Sequence, residues 1–306
     1  MTISIITHPD CSLHEMGAHH PESPARLGAI HDQLLSSGLD LILQHHDAPL
    51  ASREQLCRAH DAEYVEYIFQ KAPKEGRAWL DPDTSMNPHS LSAALRAAGA
   101  VVLGVDLVMK GQSSAVFCNV RPPGHHAEHN KAMGFCIFNN IAVGAAHALQ
   151  VHKLKRVAIV DFDVHHGNGT EDIFRETPEV LYCSTFQHPF YPDTGTDDAP
   201  EHIVNVPLPA GTDSQAFRAA VESYWLPKLE SFQPELILIS AGFDAHIEDD
   251  MANLHLGDQD FAWVTRAIKI IADKYAKGRI VSTLEGGYAL SALGRSVAAH
   301  INSLLG

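Results

Sequence analysis

A chain of 306 residues, 45% hydrophobic and 19% charged, can bury a sizeable core, and one domain over 1–306 is expected. A net charge of −15 opposes a phosphate backbone, so no direct nucleic-acid contact is expected, and it favours cationic ligands only weakly. The first thirty residues lack a basic start and a long apolar run, no later stretch reads as a membrane span, and five scattered cysteines without a CxxC pair suit reduced thiols. A soluble cytoplasmic protein is therefore expected.

Taken in chain order, Ser52 with Gln55 three positions later reads as a capping box that opens a helix toward His60. A helical pattern follows over 91–109, then a buried strand over 114–118, a helix over 140–149 and strands over 157–163 and 180–186. A helix over 213–229, a strand over 235–243, a helix over 260–276, a strand over 279–284 and a helix over 290–305 complete the pattern. Short β-branched runs alternating with helices long enough for crossovers predict an α/β fold, a single-domain parallel sheet flanked by helices on both faces.

Such sheets bind ligands beyond the carboxyl ends of their strands. Four predicted strands end in polar clusters: RPPGHHAEHNKAMGF, DFDVHHGNG, AGFDAH and EGGY. If the extended conformation persists, the strand period of two places Asp161, Asp163 and His165 on one side. Two carboxylates buried together need a cation, and Asp244 at another strand end offers a third ligand. Imidazole and carboxylate without thiolate suit zinc, with iron or manganese next, and three protein ligands leave a position open for water and substrate. In RPPGHHA, two prolines and a glycine present His125 and His126, suited to acid–base chemistry, with further metal ligands or a polar loop as the plainer alternative. Tyr288 follows Gly286 and Gly287, so its hydroxyl is a candidate donor to a substrate carbonyl, although a tyrosine in that setting more often serves packing.

In order and spacing these motifs resemble the histone deacetylase family, which also includes acetylpolyamine amidohydrolases. The resemblance runs from HHPESPARL at 19–27 through DPDTSMNPHSLSAALRAAG at 81–99 to the tyrosine loop. It implies a zinc-dependent deacetylase hydrolysing the amide of acetyl-lysine or a related acetylated amine, with an amidohydrolase for acetylpolyamines or other small metabolites as the alternative. By resemblance Asp163, His165 and Asp244 hold zinc, His126 is general base and then acid, His125 its electrostatic partner, and Tyr288 the carbonyl donor. Asp161 and Asn168 orient the two histidines. The resemblance further implies that Phe135 and Tyr191 wall a substrate tunnel, that Gly134 accepts the amide proton, that Asp83 grips substrate at the rim, and that Arg26 lines an acetate exit path. Gly286 and Gly287 belong to the substrate-binding loop. Met251 occupies a gate position where polyamine specialists place glutamate.

The resemblance also implies potassium at Asp161, Asp163, His165, Ser184 and Thr185, and a second potassium at Phe174, Thr177 and Val180. Asn168 and Glu285 match the class II pattern. Glu15, Glu22, Glu248, Asp249 and Asp250 are acids near the rim that could grip a distant ammonium, or simply solvated loop charges. Arginases share the broad fold, but the positions of their second-metal aspartates are Gly167 and His246 here, which disfavours a binuclear ureohydrolase. A non-catalytic acyl-lysine binding module is a third reading, disfavoured because every catalytic position is filled. No membrane partner is implied.

Overall fold

The computed structural model describes residues 2–306. Its strands are β1 Ile3–Thr7, β2 Gln44–Asp47, β3 Ala78–Asp81, β4 Thr84–Met86, β5 Ala115–Cys118, β6 Val157–Asp161, β7 Val180–Gln187, β8 Ile203–Leu208, β9 Leu236–Ala241 and β10 Ile280–Leu284. Its α-helices are α1 Ala25–Ser36, α2 Arg53–Leu56, α3 Ala62–Lys71, α4 Ser90–Met109, α5 Asn140–Gln150, α6 Asn168–Phe174, α7 Ser214–Ala220, α8 Leu226–Phe232, α9 Asp258–Tyr275 and α10 Leu290–Leu305.

Eight strands form one sheet in the order β2-β1-β5-β10-β9-β6-β7-β8, and every pairing is parallel. Every residue of β5, β6, β9 and β10 is buried, as a parallel sheet covered on both faces requires. Adjacent residues of β5 show the two layers. Val116 faces Gly104 of α4, whereas the Phe117 ring meets His300 of α10, and neighbouring strand side chains point to opposite faces. The four polar clusters follow β5, β6, β9 and β10, four neighbours in the sheet, so parallel pairing carries all four to one edge.

The structure departs from the sequence expectations at several places. The strands β1, β2 and β8 were not among the clear candidates; β2 is polar, and β8 contains Pro207, which an edge strand tolerates. Likewise α1 was not predicted. The capping box at Ser52 and Gln55 is present, but α2 ends at Leu56, short of His60. The helix expected over 213–229 passes through a π turn at Val221–Trp225. Pro227 has no N–H for the regular ladder, and just before it the Leu226 N–H reaches back to the Val221 carbonyl. Among the described residues one helix, α4, is long and apolar enough to cross a membrane by length and composition, contrary to expectation, yet 67% of that window is buried inside the fold.

Candidate active site

The edge of the sheet at β6 and β9 builds a buried ligand set. The strand β6 stops at Asp161, two residues earlier than expected, so strand periodicity does not align the residues beyond it. Side-chain hydrogen bonds to the backbone do so instead: Asp161 Oδ1 accepts from Asp163 N at 3.1 Å, and Asp163 Oδ1 from His165 N at 2.9 Å. Asp244, three residues past β9, accepts from Val164 N at 3.0 Å through Oδ1, while its Oδ2 is buried without a hydrogen-bond partner. His165 Nδ1 lies 3.0 Å from Asp163 Oδ1 and 3.3 Å from Asp244 Oδ2. Ligand atoms of Asp163, His165 and Asp244 all fall within 4.8 Å of one another.

Glycine makes this approach possible. A Cβ on Gly286 would lie 2.0 Å from Asp244 Oδ2, and one on Gly242 would lie 2.1 Å from Asp163 Oδ2. Burial, reinforced by the charge of Asp163, pushes Asp244 up to about 6. Burial also works against a charged His165, but the two carboxylates outweigh it and raise the imidazole to about 10. The cleft thus calls for positive charge, and its N, O, O donor set with an orphaned carboxylate oxygen fits a divalent metal such as zinc.

One further group among the described residues, Asp106 with His147 and His152, has ligand spacing. There Arg58 Nη1 donates to His147 Nδ1 at 2.8 Å, which places the ring proton on Nε2, facing Asp106 Oδ1 at 2.9 Å. That tautomer has no Nε2 lone pair for a metal, so the group is a hydrogen-bond net.

The loop after β5 presents two histidines with rings 4.0 Å apart. Glu285 Oε2 fixes that loop by accepting from Gly124 N at 2.7 Å and His125 N at 3.1 Å. His125 Nδ1 meets Asp161 Oδ2 at 3.0 Å, and His126 Nδ1 meets Asn168 Oδ1 at 2.8 Å. Burial opposes charge on both rings. For His125, Asp161 and Asp163 override it and raise the imidazole to about 10. For His126, burial and the positive charge of His125 act together and hold it well below the ordinary value. Two adjacent imidazoles therefore differ in charge, one protonated and one neutral. Sequence reasoning missed Glu128, whose Oε1 accepts from Asn168 Nδ2 at 2.9 Å and so turns the amide oxygen toward His126.

A cavity of about 220 Å³ leads to this base, and its lining includes Asp83, Gly134, Phe135, Tyr191, Met251, Gly286 and Tyr288, together with Phe190, which was not predicted. Phe190 stacks on His165 at 5.5 Å with 22° between planes, whereas Tyr191 stands edge-on to His126 and His165. Phe135 lies edge-on to Tyr288 at 6.2 Å. Gly134 has φ +57, and a Cβ there would sit 2.4 Å from His126 Cδ2. Asp83 Oδ1 accepts from Gly134 N at 3.0 Å.

Behind the tunnel, Arg26 donates to the carbonyls of Gly287 and Glu285 and to Glu22, and its guanidinium lies 4.9 Å from the Tyr288 ring. Glu22 is fully buried and also bound by Arg121. Burial would raise its carboxyl, but Arg121, His14 and Arg26 hold it down to about 2. Glu22 and Asp249 are buried and engaged within the fold, so they are neither solvated loop charges nor free to grip a distant ammonium, which corrects both readings for these two; Glu15, Glu248 and Asp250 are exposed, and Glu248 pairs with Arg295. Ser184 lies beside Asp161 in the β6–β7 register, with its Oγ buried and unpartnered. Thr185 follows it in β7. Farther along, the Phe174 carbonyl accepts from Thr177 N and His202 Nε2, and the Thr177 carbonyl from Val180 N. A Cβ on Gly167 would lie 2.4 Å from both Asp161 Oδ2 and Tyr182 Oη, leaving no room for an arginase-type aspartate.

Fold and site together define a parallel α/β protein with a carboxylate–imidazole cluster at its strand ends that has the spacing of a metal-ligand set. The Histone deacetylase domain family matches residues 20–304, and the chain belongs to that family. It is 38% identical to Histone deacetylase 14, chloroplastic, of Arabidopsis thaliana over 94% of this chain and 73% of that protein. It is also 38% identical to a Histone deacetylase-like amidohydrolase of Pseudomonas aeruginosa, over 89% of this chain and 73% of that protein. The crystal structure of the HDA15 HD domain superposes with a TM-score of 0.94 at 34% identity, covering 99% of this chain and 88% of that one.

Proposed function

We propose that this protein is a zinc-dependent deacetylase acting on the amide of acetyl-lysine or a related acetylated amine. One observation carries the reading: an apolar tunnel ends at a buried Asp–His–Asp set flanked by two histidines, one protonated and one neutral. Zinc held by Asp163, His165 and Asp244 would supply Lewis acidity toward an acyl carbonyl and acidify water beside it. His126 is neutral with its Nδ1–H engaged by Asn168, so Nε2 is free to take a proton and return it to the departing amine. His125 keeps its proton against Asp161 and holds positive charge beside a developing oxyanion. Burial pushes the Tyr288 hydroxyl well above its ordinary value, so it stays protonated and donates to the same oxygen. Phe135 and Phe190 give an apolar passage for the methylene stem.

Potassium at the Asp161, Asp163, His165, Ser184 and Thr185 set is supported by the unpartnered Ser184 Oγ. The Phe174, Thr177 and Val180 set has weaker support, because two of its carbonyls already accept hydrogen bonds. Met251 at the gate and the engagement of Glu22 and Asp249 within the fold favour a peptide over a polyamine. The test is turnover of an acetyl-lysine peptide, acetylputrescine and acetylspermidine by metal-reconstituted protein. Peptide hydrolysis that needs zinc and falls on the order of a hundredfold in Tyr288→Phe is expected. Zinc-loaded protein that cleaves no acyl-amine sinks the reading, and preferential turnover of acetylspermidine moves the substrate to polyamines.

A further inference from the structure

The segment that carries the Tyr288 hydroxyl has no regular structure and contains two glycines in succession, Gly287 at φ +118. Such a hinge has wide backbone freedom unless contacts outside it remove that freedom. Asp249 supplies them. Its Oδ2 accepts from Tyr288 N at 2.6 Å and from Ala289 N at 2.9 Å, while its Oδ1 accepts from Met251 N at 3.1 Å. The residue is 5% exposed, so these charge-assisted bonds are shielded from water.

Both amides lie at the entry to α10, where N–H groups lack partners inside the helix, and Ala289 at the N-cap has no side-chain acceptor to offer. Asp249 N in turn donates to the His246 carbonyl at 2.8 Å, tying it to the loop that begins with the ligand Asp244. One carboxylate therefore joins the tyrosine backbone to the rim segment bearing Met251. The Tyr288 ring itself is touched by Arg26 on its face and Phe135 at its edge.

We propose that Asp249 is the positioning residue for Tyr288, setting the site of the phenol and the shape of the tunnel mouth together. The proposal rests on the deacetylase reading above. A phenol oxygen stands far from its own backbone, so a small rotation about the glycines displaces it by about 1 Å, enough to cost up to a hundredfold in rate.

The test is a cycle of Asp249→Ala, Tyr288→Phe and the double variant, read as kcat on an acetyl-lysine peptide at saturating zinc, with amide exchange across residues 286–290 measured on each metal-loaded protein. Asp249→Ala should lower kcat on the order of tenfold or more in the parent, and by less than about twofold in the Tyr288→Phe background. Exchange of the Tyr288 and Ala289 amides should quicken more than about tenfold, because their acceptor is gone. Equal losses in both backgrounds would show a general structural role and overturn the proposal, as would unchanged kcat or unchanged exchange. If Asp249→Ala does not fold, Asp249→Asn replaces it: an NH2 then opposes one set of donors, and the same non-additivity is required. If the parent cleaves no acyl-amine, the deacetylase reading falls on its own, while amide exchange still reports whether Asp249 holds the tyrosine segment.

Discussion

Replacing Gly286 with alanine tests the metal site without altering a ligand. The new Cβ would lie 2.0 Å from Asp244 Oδ2 and 2.6 Å from Asp163 Oδ2, whereas nonbonded heavy atoms settle at about 3.5 Å. A carboxylate must therefore retreat by more than about 1 Å, and metal–ligand distances tolerate only about 0.2 Å. Asp244 has little freedom to yield, because Val164 N holds its other oxygen at 3.0 Å. If Gly286 moves instead, its N–H bond to Asp163 Oδ2 at 2.8 Å is lost. Loss of an orienting contact alone costs 10–100-fold in metal affinity, so roughly a hundredfold weaker zinc binding is expected, about 3 kcal/mol. Zinc affinity by competition with a chelator of known strength reads the effect directly. Gly28→Ala is the control, since its Cβ meets nothing within 4 Å. Parent-like zinc affinity in Gly286→Ala would refute the placement of Asp244 Oδ2 at the metal.

The control carries its own prediction: Gly28 is exposed inside α1, so alanine should raise stability by about 1 kcal/mol in denaturant unfolding. Asn168→Asp sets a second carboxylate beside His126 and Glu128, which raises the His126 pKa. The base is then protonated at higher pH, so the acid limb of the kcat/KM profile moves upward, and an unmoved profile contradicts the role of the amide. Burial lowers His300 from an ordinary 6.5 to about 3, where it bonds Thr265 and Ser282 in its neutral form. The folded value lies below the unfolded one, so this contribution is full above pH 6.5 and is lost as pH falls toward 3, about 5 kcal/mol in all. His300→Gln should flatten the stability curve by one proton across that window, and an unchanged slope in urea titrations would count against it.

Much of the site was legible because its chemistry sits in four short clusters, each just past a strand. What the chain order hides is that β10 and β9 lie between β5 and β6, the adjacency that makes one site of four clusters. The two-residue period picked out Asp161, Asp163 and His165 for a reason the structure does not bear out, since turns formed by the aspartate side chains align them after the strand has ended. Phe190 escaped notice because in an irregular loop no periodicity says that two adjacent aromatics, Phe190 and Tyr191, both line the tunnel. Glu22 and Asp249 read as rim charges because their partners are remote: Arg121 is 99 positions from Glu22, and backbone amides leave no mark in a sequence.

Charge balance explains why a cation is called for at Asp163, His165 and Asp244. Elsewhere beneath the tunnel the buried ions are matched, Asp161 by His125 and Glu22 by Arg26 and Arg121, while Glu285 is pushed up to about 7 by burial and so sheds part of its charge. Asp163 and Asp244 share His165, and the His125 ring that lies 3.8 Å from Asp163 is already paired with Asp161, so a neutral imidazole at His165 leaves the two carboxylates with no cation of their own. A dication cancels that pair, and it removes the charge that raises His165, so metal uptake and release of the histidine proton are one event. Zinc affinity should therefore weaken steadily on acidification, and proton release measured during zinc titration checks the linkage. Uptake with no proton released at neutral pH would mean that the carboxylates do not hold His165 protonated in the free protein.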